Sequence, residues 1–192
     1  MKKILSLLFI LIAIQTAVYA DAETDMHQAY IAKIQAQDIK YNTYNFFSAI
    51  SNGNVQLVDL FLKSGMSADS TFMKTPAIYV AIASNQNEVV KMLLDNKVDP
   101  NKELAGITPL LMAIRQKDAK IVETLIAYGA DVNQSAGYTK PLAYAIQKKQ
   151  PKIVELLINA GAKPDNEVLI KALKSDDNYI KYTVLKRYKT MD

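Results

Sequence analysis

The chain has 192 residues, half of them apolar, with no cysteine and a net charge of +4. That length suffices for one domain with a continuous core, and the missing thiols exclude cysteine catalysis, zinc-thiolate sites and disulfides. The basicity is partly local, because residues 1–20 hold Lys2 and Lys3 and no acid; without them the charge is +2, a weak argument against a nucleic-acid footprint.

Lys2-Lys3, the apolar run from Ile4 to Ile14 and the small-residue ending Val18-Tyr19-Ala20 follow one another in the order of a secretory signal peptide, with cleavage after Ala20. An uncleaved anchor is the alternative, but the run is shorter than the roughly 20 residues that a spanning helix needs. No cysteine follows it, so a lipid-modified N-terminus is ruled out, and no stable membrane insertion is expected after cleavage. The expected destination is the periplasm, with secretion as the alternative.

Residues 21–43 read as an N-terminal capping helix, with Met26, Tyr30, Ile34 and Ile39 near helical spacing and Asp25 or Thr24 as N-cap. A membrane-surface helix would require a dense Lys/Arg face, which this segment lacks.

From Tyr44 onward the pattern repeats every 32 residues: Ala49, Ala81, Ala113 and Ala145 fall in register, as do Val58, Val90, Val122 and Val154. A fixed period of this length means stacked supersecondary units. The first helix of each unit is expected at about Tyr44–Ser51, Pro76–Ser84, Pro109–Gln116 and Pro141–Lys148, where proline in the first turn gives up an N–H that had no partner. The second helix is expected at about Val55–Lys63, Asn87–Asp95, Ala119–Ala127 and Pro151–Asn159. Asn54, Gln86, Asp118 and Gln150 open it, and the first and third are good caps. Its end falls at Gly65, Lys97, Gly129 and Gly161, where a left-handed cap favours glycine and makes Lys97 the exception. The domain plan is therefore four repeats over 44–165 (about 44–74, 75–107, 108–139 and 140–165), then a truncated repeat over 166–192 as a C-terminal helical cap. The basic residues Lys174, Lys181, Lys186, Arg187 and Lys189 of that cap read as a solvated outer face in preference to an anion site, since a terminal repeat needs a polar exterior.

Thr108-Pro-Leu with Ala113, Ile121-Val-Glu with Leu125-Ile126, Gly129-Ala-Asp-Val-Asn133, and Val154-Glu-Leu-Leu-Ile158 with Gly161-Ala162 resemble the ankyrin repeat family over about Tyr44 to Asp165. The resemblance implies an all-α solenoid of stacked helix-turn-helix units with short projecting hairpin-like connectors and helical caps. The family's histidine after Thr-Pro-Leu is replaced by Tyr79, Leu111 and Ala143, which removes the hydrogen bonds that it makes to the connectors. Lys140 stands for threonine, and Thr75-Pro76 lies one residue early.

Catalytic chemistry is sparse. The lone histidine, His27, lies in the N-terminal flank without a nucleophile-elbow signature. Asp59, Glu88, Glu123 and Glu155 recur with the repeat, as solvated faces do. With no phosphate loop or calcium loop either, neither a catalytic site nor a metal or cofactor is expected.

What remains is a binding surface. The family resemblance implies a concave protein-binding face made of the connector tips and the exposed side of each first helix. On this chain the tips are Phe72, Met73, Leu104, Ala105, Ile107, Tyr138 and Thr139, and the helix positions are Ala83, Ser84, Arg115, Gln116, Gln147 and Lys148. Phe72, Leu104 and Tyr138 are expected as interface anchors, removable without loss of fold. The alternative is that they fold back onto a neighbouring hairpin. The partner is expected to be another protein, an enzyme of the same compartment that this chain inhibits or protects against. A secreted effector that binds a host protein and, less favoured, a hydrolytic enzyme are the alternatives.

Overall fold

The structure is a computed structural model that describes residues 20–135, 137 and 139–190. The residues up to Tyr19, which carry most of the expected signal peptide, and Tyr138 lie outside the described residues. Helix α1 covers residues 20–35. Four helix pairs follow: α2 (Thr43–Ser51) with α3 (Val55–Lys63), α4 (Ala77–Ala83) with α5 (Asn87–Asp95), α6 (Pro109–Gln116) with α7 (Ala119–Ala127), and α8 (Pro141–Gln147) with α9 (Pro151–Asn159). A fifth pair, α10 (Asn166–Lys174) and α11 (Asn178–Tyr188), ends the stack. The fold is an all-α repeat solenoid, and the second helix of each of the four repeats occupies the residues expected from the 32-residue period.

The first helices stack in one row, α2, α4, α6, α8, α10, and the second helices in another, α3, α5, α7, α9, α11. The core lies between the rows. Ala49, Ala81, Ala113, Ala145 and Ala172 are buried where the paired helices approach, and Val58, Val90, Val122 and Val154 are fully buried on the facing helix. Alanine at the close approach and β-branched valine opposite it fill this layer at the density a protein interior requires.

Each repeat carries two left-handed backbone positions. One follows the second helix, at Gly65 (φ 90°), Lys97 (φ 67°), Gly129 (φ 87°) and Gly161 (φ 94°). Lys97 therefore adopts the expected cap despite its side chain. The other follows the first helix, at Gly53, Asn85, Lys117 and Lys149, with φ of 67°, 54°, 61° and 53°. Both sets recur with the repeat, so the turn geometry is set by the stacking and imposed on residues that do not favour it.

The position that opens each second helix is used in two ways. Asn54 caps its helix by accepting from Leu57 N at 3.1 Å, and Asp118 accepts from Lys120 N and Ile121 N. Gln86 and Gln150 make no side-chain cap. They reach back to the preceding repeats, where Gln86 Nε2 donates to Ser51 O at 3.1 Å and Gln150 Nε2 to Ile114 O at 3.0 Å. The longer amide reaches carbonyls near a first-helix C-terminus, as the sole donor to Ser51 O and as a second donor, beside Lys117 N, to Ile114 O, and ties successive units together.

Asparagine supplies a second tie. Asn101 donates to Gly129 O and accepts from Asp131 N, and Asn133 repeats this one unit later with Gly161 O and Lys163 N.

The ends differ. At the N-terminal end Ile34 of α1 is fully buried, and Tyr41 stacks on Phe61 with centroids 5.6 Å apart while its hydroxyl donates to Ser64 O. Met26, expected on the same stripe, is 57% exposed, so only the C-terminal part of α1 is seated. At the other end α10 follows Asp165 directly, without a hairpin. Asp165 caps α10 through Val168 N and is ion-paired with Lys140. Ile170 and Leu173 remain half exposed there, so the end is less polar than expected; no further unit covers them.

Candidate protein-binding face

The first two connectors between repeats are two-residue hairpins. In the first, β1 (Thr71–Phe72) pairs antiparallel with β2 (Thr75–Pro76), with Met73 and Lys74 at the tip in left-handed conformation. In the second, Leu104 and Ile107 exchange backbone hydrogen bonds of 3.0 Å around Ala105-Gly106, again both at positive φ. Positive φ at both central residues is the geometry that matches strand twist in a tight hairpin.

Tyr79 holds the second hairpin. It is buried on α4, at the place where the family's histidine would stand. Its hydroxyl accepts from Leu104 N at 3.1 Å and faces the carbonyls of Lys102 (2.9 Å) and Ile107 as a donor. The expected loss of connector hydrogen bonds is thus made good in this repeat by a phenol in place of an imidazole. Burial pushes the Tyr79 hydroxyl up to about 12, and the Leu104 N–H works in the opposite direction.

The helix residues next to the hairpins follow the period. Ser48, Val80, Met112 and Tyr144 are half-buried at one level of the first-helix row. Three residues on, and so on the same helix face, come Ser51, Ala83, Arg115 and Gln147, all exposed. Ser84, Gln116 and Lys148 continue this ledge. The Ser51 and Ser84 hydroxyls lie 3.3 Å apart, which places neighbouring repeats side by side along it.

Where the second hairpin meets α4 and α6 the surface closes into a cavity of about 310 Å³, lined by Thr75, Tyr79, Val80, Ala83, Ser84, Leu104, Ala105, Ile107 and Met112. Five of the expected site residues, Ala83, Ser84, Leu104, Ala105 and Ile107, come together here. Thr75, Tyr79, Val80 and Met112 complete the cavity and were not among the expected residues. Their signal was available, since Val80 and Met112 each precede a ledge residue by three.

The other expected residues stand apart from the cavity. Met73 projects at the first tip, 84% exposed. Phe72 packs back on its own repeat, with its ring centroid 5.6 Å from Phe47 and 6.0 Å from Tyr44. That is a fold-back contact, so removing Phe72 disturbs packing as well as surface. Leu104 is likewise packed against the core. Arg115, Gln116, Gln147 and Lys148 are exposed further along the ledge, with the Lys148 ammonium 5.4 Å from the Tyr144 ring centre. Thr139 is half-buried at the base of the third connector.

The two sides of the solenoid differ in charge pairing. On the second helices Lys63 pairs with Asp59, Lys91 with Asp95, Lys120 with Glu88 and Lys152 with Glu155. Tyr128 also donates to Asp95, and that bond together with Lys91 holds the Asp95 carboxyl below the usual carboxylate range. On the ledge Arg115, Lys117 and Lys148 have no acidic partner among the described residues.

Among the described residues, no group of three or more histidine, aspartate or glutamate side chains comes together to hold a metal, and no helix is long and apolar enough to cross a membrane. His27 lies beside Gly65 on the N-terminal side of the stack.

No curated protein matches the chain. A family model, ankyrin repeats (3 copies), matches residues 14–104 and again residues 98–168. Those two matches run through all four repeats and into the fifth helix pair. The fold they describe is a scaffold for protein–protein interaction, and the chain belongs to the ankyrin repeat family.

Proposed function

We propose that this protein is exported and acts by forming a complex through its concave face with an enzyme of the same compartment, which it occludes or stabilises in the manner of an inhibitor or immunity protein. The observation that carries the choice of face is the cavity beside Tyr79, where an apolar concavity opens next to a ledge of unpaired cations. Pockets of this kind, apolar with a few polar groups at the edge, are where binding energy concentrates. On the opposite side the lysines of α3, α5, α7 and α9 are paired with acids of the same row, which leaves less for a partner to satisfy there. Export rests on the order Lys2-Lys3, apolar run and Val18-Tyr19-Ala20.

A photo-reactive phenylalanine analogue placed at Ser84, or at Glu123 on α7, tests the face in cells that make the full chain. The Ser84 variant is expected to give a discrete cross-linked product, the Glu123 variant none. Equal products at both positions, or a product only at Glu123, contradict the proposal. The partner recovered from that product is expected to have its enzymatic activity changed by the purified chain. Intact mass of the processed chain is expected to begin at Asp21, and retention of Met1 removes the export part.

A further inference from the structure

Resting on the protein-binding reading above, we infer that the partner presents an acidic segment with one large apolar side chain at its centre. The cavity between α4, α6 and the second hairpin has a floor of Val80 and Met112 and a wall of Tyr79, and its volume of about 310 Å³ is open at Ala83. The Tyr79 hydroxyl is already engaged with the hairpin backbone, so the wall offers an inward-facing ring and no free polar group. A leucine, methionine or phenylalanine side chain suits such a space, and burying it there removes apolar surface from water.

The charge requirement comes from the ledge. Arg115 stands three residues after Met112 on α6, and Lys117 and Lys148 continue along the same edge. None has an acidic partner among the described residues, whereas Lys63, Lys91, Lys120 and Lys152 on α3, α5, α7 and α9 are each paired. The carboxylate beside the cavity, Glu103, accepts from Gln134 Nε2 at 3.1 Å, so it is already tied to the next connector. Its charge remains, and the three cations Arg115, Lys117 and Lys148 outnumber it along that edge. A partner with carboxylates flanking its apolar anchor is steered and held there, and a basic one is repelled.

Selection from a random twelve-residue peptide library displayed on phage, with the full chain as bait, tests this. The expected winners carry a large apolar residue flanked by Asp or Glu. Their affinity is expected to fall at least about tenfold in Arg115→Glu/Lys148→Glu, since facing like charges cost more than the 1.4 kcal/mol that a decade represents. It should also weaken as salt is raised, and Ala83→Trp, which fills the mouth of the cavity, is expected to abolish it. Winners that are basic or uncharged, winners indifferent to Ala83→Trp, or no enrichment at all overturn the inference. Circular dichroism of both variants guards against loss of fold. If it shows either variant unfolded, Arg115→Gln/Lys148→Gln and Ala83→Leu replace it with the same expectations. A Ser84 cross-link alongside a failed selection would leave the binding face standing and remove only the acidic-anchor chemistry.

Discussion

The two sides of this solenoid are built from the same repeat and solve different problems. On the second-helix side, the lysines of α3, α5, α7 and α9 pair with acids three or four residues or one repeat away, as Lys91 does with Asp95 and Lys120 with Glu88. On the first-helix side the equivalent surface is a hairpin, a half-buried apolar level and a ledge of cations without partners. A periodic sequence would give both sides the same regularity. Two departures from period lie on the first-helix side: Tyr79 where the other repeats have Phe47, Leu111 and Ala143, and Arg115 where the previous repeat has Ala83.

The comparison breaks first at Tyr79. Its hydroxyl is the only part of the side chain that Tyr79→Phe removes, and the step leaves the Lys102 carbonyl without its partner and Leu104 N with its bond to Ile107 O alone. A loss of about 1–3 kcal/mol is expected, read from urea unfolding. The hydroxyl's proton is held more tightly in the folded chain, up to about 12 against 10.0. The contribution should therefore be complete below pH 10 and disappear as pH rises through 12. The gap between wild type and Tyr79→Phe should close over that interval; a gap that stays constant to pH 12 would show that the latch is not the hydroxyl.

Phe72→Ala tests the neighbouring hairpin. Because its ring rests on Phe47 and Tyr44, half-burial of this size predicts a loss of about 1–2 kcal/mol, detectable as a lower melting midpoint. An unchanged midpoint would return Phe72 to the role of a free surface anchor.

A smaller effect is expected where the second helix hands over to the connector. Lys97 has φ 67°, well inside the left-handed region, whereas the equivalent glycines lie at 87–94°. Replacing Lys97 with glycine relieves the strain of a side chain there but loosens the unfolded chain, so the gain should stay below about 1 kcal/mol. A clear loss of stability contradicts it.

The smallest effect belongs to the paired side. Lys91→Met removes an exposed ion pair, and such pairs contribute about 0–1 kcal/mol. The midpoint should barely move, and addition of salt should erase what difference there is. A larger shift would mean that the Tyr128–Asp95–Lys91 cluster carries stability that its exposure does not suggest.

The helix pairs were legible because alanine at the close approach and valine opposite recur every 32 residues, and no other arrangement buries both series. The left-handed cap at Lys97 was legible too, from its glycine equivalents. Those at Lys117 and Lys149 went unread, although Gly53 and Asn85, residues that tolerate positive φ, stand at the equivalent positions. Gln86 and Gln150 read as poor caps because capping is a local rule; their partners, Ser51 O and Ile114 O, lie more than thirty residues away. The same holds at the candidate site. Ala83, Ser84, Leu104, Ala105 and Ile107 follow from the resemblance, but the cavity exists because Tyr79 reaches from α4 to the hairpin. A tyrosine in the histidine's place looked like a lost contact until its hydroxyl was placed against Leu104.

The most direct test of the account compares the two sides in one experiment: cross-linking through the photo-reactive residue at Ser84, carried out in the wild-type background, in Ala83→Trp and in Glu123→Lys. The account predicts that the product forms in wild type and in Glu123→Lys and disappears in Ala83→Trp, with all three chains equally folded by circular dichroism. A product that survives the filled cavity but is lost on changing α7 would contradict it.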